Sequence, residues 1–185
     1  MIENWFSTPI WYFYDTKFDD TIEAQFIEYM NKYRENNYNG AIRSNVNCYQ
    51  SDDIITSYPC NYIDEFLQET VLVELQQSIN TITNLSINSM WFNENGKGGL
   101  NKNHIHPHTD LSGVFYVSTP EECGNIVFYN PLTESIMSRC NREENVHYTP
   151  ERGKLIIFPS WLYHSVRPNK SDGIRRSIAF NLTVS

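Results

Sequence analysis

From Leu85 onward, apolar and polar residues alternate with a period of two, and this switch divides the chain. Before it the period is helical. Ile22, Phe26, Met30 and Tyr33 recur on one helical face, and Asp20 with Glu23 three places on has the form of a capping box, so the spacing predicts a helix from Asp20. Ile63, Leu67, Val71, Leu75 and Ile79 form an i,i+4 row that predicts a second helix from near Asn61. Ahead of both, Pro9-Ile-Trp-Tyr-Phe-Tyr14 is aromatic and β-prone. After the switch, the alternation predicts strands over Leu85–Asn93, Leu111–Val117, Asn125–Tyr129, Lys154–Phe158 and Ile174–Val184, separated by turns containing Gly, Pro and Asn.

Strands this close together leave no room for the crossover helices of a parallel sheet, so the pattern predicts a jelly-roll-type sandwich. The expected fold class is mainly β with flanking helices (α+β). One domain over 1–185 is expected, with an N-terminal strand and supporting helices over 1–84 and a β core over 85–185. The polar stretch Leu132–Glu151 reads as a long loop of the kind that often forms a lid. Gly96-Lys-Gly-Gly99 lacks the frame of a phosphate-binding loop and reads as a turn.

Composition narrows the class. A chain of 185 residues with 40% hydrophobic and 14% aromatic residues is long and apolar enough for one buried core. Its longest apolar runs, such as those within Thr70–Leu75 and Leu155–Pro159, are too short to span a bilayer. The start, Met-Ile-Glu-Asn-Trp-Phe, lacks the form of a signal peptide, so a cytoplasmic location is expected. Cys48, Cys60, Cys123 and Cys140 are scattered with no CxxC pair, which speaks against zinc ribbons and redox motifs and for free thiols. A net charge of −8 argues against a chain whose main business is wrapping around phosphate backbones, and the sequence carries no strong nucleic-acid signature. Only Arg167, Lys170, Arg175 and Arg176 cluster, as a solvated turn or as the rim of an anion site.

The chemistry concentrates in two places. Three of the five histidines lie in Asn103-His-Ile-His-Pro-His-Thr-Asp110, and a fourth, His164, lies in Phe158-Pro-Ser-Trp-Leu-Tyr-His-Ser-Val166. On a strand, His104 and His106 would project from one face about 7 Å apart, close enough to share an ion. His147 stands alone in a polar stretch and reads as a surface residue. On the last strand, Ile174, Arg176, Ile178, Phe180, Leu182 and Val184 share one face, with Arg175, Ser177, Ala179, Asn181 and Thr183 on the other. That second face suits water, but Arg175-x-Ser177 also sets a guanidinium fork beside a hydroxyl, a natural carboxylate receptor.

Together these motifs resemble the iron(II)- and 2-oxoglutarate-dependent dioxygenases, whose fold is a double-stranded β-helix, jelly-roll and cupin-like. The order of a His-x-(ligand) pair, a distal His and then Arg-x-Ser matches. Arg175 lies eleven positions beyond His164, as the family's cosubstrate arginine commonly does. More narrowly, His-x-His-Pro, Leu-Ser-Gly-Val-Phe-Tyr, Phe-Pro-Ser-Trp-Leu-x-His-Ser-Val and Arg-x-Ser-Ile-Ala-Phe-Asn resemble a group of small 2OG-Fe(II) oxygenases from phages and bacteria. That likeness runs from Met90 to Asn181, and Phe6-Ser-Thr-Pro-Ile10 is similar to the group's opening.

The resemblance implies iron(II) on His104, His106 and His164, and 2-oxoglutarate against Arg175, Ser177 and Tyr116. It also implies O2 as oxidant, succinate and carbon dioxide as products, and hydroxylation of a substrate. His106 stands where most of the family has Asp or Glu. Reading His108-Thr-Asp110 as the motif restores an acid but leaves no turn before the strand at Leu111. Reading His104-Ile-His106 leaves Pro107–Asp110 as that turn and is preferred here. Two other classes compete. A zinc hydrolase would use His-x-His-x-His-x-Asp but leaves Arg175-x-Ser177 unexplained, and a non-catalytic cupin-like module would hold a metal or small ligand without turnover. Neither the substrate nor the oligomeric state is written in the sequence.

Overall fold

In the computed structural model, the described residues are 7–15, 17–57, 61–73, 75, 85–132 and 143–184. The strands are β1 (Trp11–Tyr14), β2 (Asn45–Val46), β3 (Tyr49–Gln50), β4 (Leu85–Asn95), β5 (Leu100–His104) and β6 (Leu111–Ser118). They continue as β7 (Ile126–Tyr129), β8 (Asn145–Tyr148), β9 (Lys154–Pro159), β10 (His164–Val166) and β11 (Arg175–Val184). They pair antiparallel in two sheets, ordered β1-β9-β6-β11-β4-β3 and β2-β5-β10-β7-β8. The helices are α1 (Asp20–Asn36), α2 (Ile54–Ser57) and α3 (Asn61–Leu67), the last running on as a π-helix over Gln68–Leu72.

Period-two alternation explains the layering. Phe92, Phe115, Ile178 and Phe180 turn to the outer face of the six-stranded sheet and pack with Phe26, Met30 and Tyr33 of α1 and with Ile63 and Leu67 of α3. On the inner face, residues of both sheets meet in a second cluster containing Tyr116, Ile156 and Phe158 with Ile126 and Phe128. The next positions along β4 and β11, among them Trp91, Asn93, Arg175 and Ser177, point into the space left between the sheets. The fold is the double-stranded β-helix expected from the resemblance.

Several local expectations need correction. The cap of α1 is Asp19, whose extended backbone lets its carboxylate accept the Ile22 N–H at 2.9 Å, whereas Asp20 is already helical. The row beginning at Ile63 passes through the π-helix, and Ile63, Leu67 and Leu75 are buried; Ile79 lies outside the described residues. Strand β8 lies within the stretch read as an irregular loop, hidden because Asn145-Val-His-Tyr148 is an edge strand with little apolar content. The short strands β2, β3, β5 and β10 carry no readable alternation. Pro107 and His108 form the turn expected before β6, with His108 at φ 66°. Gly96–Gly99 is a turn, closed by a bond from Gly99 N–H to Gly96 O at 2.9 Å. Cys48 and Cys123 are free thiols; Cys60 and Cys140 lie outside the described residues. Among the described residues no helix is long and apolar enough to cross a membrane.

Candidate active site

His104 closes β5 and His164 opens β10, and the register sets them directly beside each other. His106 is not on the strand: beyond His104 the chain leaves the ladder, and the His106 N–H donates to Ser160 O at 2.9 Å. The rings nevertheless converge. Their centroids lie 5.1 Å apart for His104 and His106, 4.2 Å for His104 and His164, and 5.0 Å for His106 and His164. One nitrogen from each falls within 4.8 Å of the others, and the Nε2 atoms of His104 and His106 are 3.2 Å apart.

Each ring is also fixed from behind. His104 Nδ1 bonds Lys102 O at 2.7 Å, His106 Nδ1 bonds Asn181 Oδ1 at 2.7 Å, and His164 Nδ1 bonds Leu162 O at 2.9 Å. These oxygens only accept, so each Nδ1 carries the proton and each Nε2 keeps its lone pair, the arrangement of a metal-ligating histidine. Burial disfavours the charged rings. It holds His106 at about 4, partly offset by the Asn181 bond, keeps His104 below its ordinary value and takes His164 well below it. Three neutral, converging imidazoles suit a divalent transition metal such as iron(II).

Asp110 stands outside this cluster. It is exposed, and its carboxylate accepts the Val184 N–H at 2.8 Å. His147 is exposed on β8 and His108 is exposed in its turn. Among the described residues, the three histidines form the one group able to hold an ion.

The histidines open onto a cavity of about 380 Å³. Arg175, only 2% exposed, lines it; a terminal guanidinium nitrogen donates to Cys123 O at 2.9 Å and to Gly124 O at 2.8 Å. Its Nε–H is buried with no partner, an unused donor beside the cavity that fits an incoming carboxylate. Ser177 and Tyr116 are cross-strand partners on the same inner face, both buried. Burial raises the Tyr116 pKa above its ordinary value against the pull of the Arg175 charge, so its hydroxyl remains a donor. Arg176 points the other way, its Nε donating to Glu94 at 2.8 Å, and Arg34 of α1 grips the same buried carboxylate at 2.8 Å. Arg167 and Lys170 are exposed, so of the basic cluster only Arg175 reaches the cavity.

Three further polar residues stand at the site with no sequence motif to mark them. Asn181 bonds His106 and also accepts from Ser112 Oγ at 2.9 Å while donating to Ser89 Oγ at 2.9 Å. Ser44 Oγ lies 3.4 Å from His104 Nε2. Asn93 sits beside Ser177 in the register. Asn181 shares the Arg175 and Ser177 face of β11, a signal that alternation alone carries.

A family model described as "Putative 2OG-Fe(II) oxygenase" matches residues 89–181, half of the chain. The chain belongs to this family: it is a 2-oxoglutarate-dependent oxygenase, a class that uses iron(II), 2-oxoglutarate and O2. Solved structures share the fold at low identity. A 2OG-Fe(II) oxygenase family oxidoreductase from Burkholderia pseudomallei aligns with a TM-score of 0.71 at 13% identity, covering 94% of this chain and 84% of that one. HygX from Streptomyces hygroscopicus, with nickel, 2-oxoglutarate and hygromycin B bound, aligns at 0.67 and 11%, covering 95% and 83%. The viral collagen prolyl hydroxylase of Paramecium Bursaria Chlorella virus-1, as its 2OG complex, aligns at 0.59 and 17%, covering 92% and 94%. No curated protein matches the sequence significantly.

Proposed function

We propose that the cavity binds iron(II) through His104, His106 and His164, holds 2-oxoglutarate against Arg175, Ser177 and Tyr116, and hydroxylates a C–H bond of a substrate. The observation that carries this reading is the convergence of one nitrogen from each of three histidines, whose rings are each fixed by an Nδ1 bond, beside a buried guanidinium with a spare N–H. In the net reaction, R–H, 2-oxoglutarate and O2 become R–OH, succinate and carbon dioxide. Bound iron(II) supplies the redox chemistry with O2 that links the two oxidations.

The protein's own part is positioning. Arg175 neutralises the far carboxylate of the cosubstrate, and the Ser177 and Tyr116 hydroxyls complete its donor set. Three neutral imidazoles bring no negative charge, so with the far carboxylate paired to Arg175, the near carboxylate of the cosubstrate would face a bound metal with one negative charge against its two positive ones. Phe158 and Ile126 wall the cavity against water, and Trp91 packs its ring against His106 at 5.4 Å. A cytoplasmic location agrees with the free Cys48 and Cys123 and with the reducing conditions that ferrous iron needs.

The test is anaerobic titration of the protein with iron(II) and then 2-oxoglutarate. A weak visible charge-transfer band on cosubstrate addition, followed in air by slow succinate formation, is the expected result. Tight zinc binding with no spectral response to 2-oxoglutarate would sink the reading.

A further inference from the structure

One row of side chains crosses the cavity face of the six-stranded sheet: Gln50 on β3, Asn93 on β4, Ser177 on β11 and Tyr116 on β6, each in register with the next. All four line the cavity and all four are buried. The Ser177 and Tyr116 half is the part proposed above to hold the cosubstrate. The other half is unassigned. Asn93 is only 7% exposed, yet its Oδ1 is buried without a hydrogen-bond partner. Gln50, at 8% exposure, makes no side-chain hydrogen bond among the described residues. A buried acceptor left unpaired is costly, so Asn93 Oδ1, with the unbonded Gln50 amide beside it on the cavity wall, points to a ligand that completes the pair.

The chemistry of the orphan says which ligand. Asn93 Oδ1 is an acceptor and calls for an N–H or O–H. The cosubstrate, a dianion at neutral pH, has no such hydrogen and would be repelled by the amide oxygen. Arg175, Ser177 and Tyr116 already offer it donors on the far side of the row. The row is uncharged, so a carboxylate or phosphate gains nothing from it, while an amide offers a donor to Asn93 and an acceptor to Gln50. Trp91, two residues before Asn93 on the same face, adds a flat apolar wall. The rim carries both signs, Arg43 with Asp52 and Asp53, and leaves selection to the neutral interior.

We infer that Asn93 and Gln50 form the substrate-selecting part of the cavity, and that the substrate presents a neutral amide-type N–H donor and carbonyl acceptor to them. The inference rests on the oxygenase reading for the word substrate, though not for the recognition itself. Three flat probes of one shape test it: benzamide, acetophenone without the N–H, and benzoate with a charge. Their binding is followed by ligand-observed NMR on the full chain, both alone and loaded anaerobically with iron(II) and 2-oxoglutarate.

Benzamide is expected to bind best, and Asn93→Leu to weaken it about tenfold, the scale of one hydrogen bond removed. Gln50→Leu, on an edge strand, should weaken it in the same direction, while Asn93→Asp keeps an acceptor and should retain part of the affinity. Affinity for 2-oxoglutarate should be unchanged in Asn93→Leu, and that measurement also shows that the variant is folded. Absent benzamide binding, equal binding of acetophenone, or preference for benzoate would overturn the inference. So would a loss of 2-oxoglutarate affinity in Asn93→Leu matching the loss for benzamide, which would assign the row to the cosubstrate. If the wild type gives no charge-transfer band, the oxygenase reading fails separately, and the titrations of the unloaded chain still decide the amide question.

Discussion

His106 donates its Nδ1 proton to Asn181 Oδ1 across 2.7 Å, and Asn181 is in turn held by Ser112 and Ser89 at 2.9 Å each. His104 and His164 rely on backbone carbonyls for the same service, so His106 is the one ring of the three whose tautomer depends on a replaceable side chain. Asn181→Leu should therefore lower affinity for iron(II) by about 10- to 100-fold, the usual range for losing such a partner. Asn181→Asp, which still accepts the proton, should keep most of it. Anaerobic calorimetry with iron(II) measures both, and an unchanged Asn181→Leu affinity would show that the bond is idle.

The identity of the third ligand is open to direct comparison. His106→Ala should lose most metal affinity, because it removes one of three converging nitrogens. Asp110→Asn should bind metal normally, since that carboxylate is exposed and engaged with the Val184 N–H. The reverse outcome would move the ligand to Asp110.

The two adjacent arginines should separate cleanly. Arg175→Ala should weaken 2-oxoglutarate binding by about 2–4 kcal/mol, because it removes a buried, charge-assisted hydrogen-bond donor. Arg176→Ala should leave cosubstrate binding intact but cost about 1–3 kcal/mol of stability, because buried Glu94 keeps only half-exposed Arg34 as a partner. Cosubstrate titrations and urea melts of both variants distinguish the effects.

Acid should destabilise the metal-free protein. The ring of His106 ionises near 4 in the folded chain and near 6.5 when unfolded. Above about pH 6.5 both states are neutral there and nothing is lost. Below it the unfolded chain binds more protons, so stability falls until about pH 4, by about 3 kcal/mol for His106 alone. His104 and His164 shift in the same direction and add to the loss. Melts at pH 7.5 and 5.5 should show a drop in the wild type that is smaller in His106→Gln, and equal stability at both values would contradict the burial argument.

Polarity that alternates along β4 and β11 makes them legible, whereas β9, Lys-Leu-Ile-Ile-Phe-Pro, shows as a short apolar run buried throughout; these spans and that of β6 read to within two residues. β5, Leu-Asn-Lys-Asn-His, lies where polar residues occupy both faces, and β10 is three residues long, so neither gives a period. The gathering of His104, His106, His164 and Arg175 was readable as a constellation, while the departure of His106 from the strand was not, since Pro107 allows either path. No sequence motif marks Asn181 and Asn93, for a plain reason. An amide on the polar side of a strand looks the same whether it faces water or a closed cavity, and only the second sheet decides which.

The pairing of His104 with His164 has a mechanical side. The two residues are distant in sequence and adjacent across β5 and β10, and His106 ties in the turn held to Ser160. An ion gripped by all three is a removable rivet through a sheet whose strands are short. Its binding energy is added to that of folding, so the loaded chain should resist opening and proteolysis that the empty chain suffers. Iron scarcity would then shorten the working life of the molecule as well as idle it.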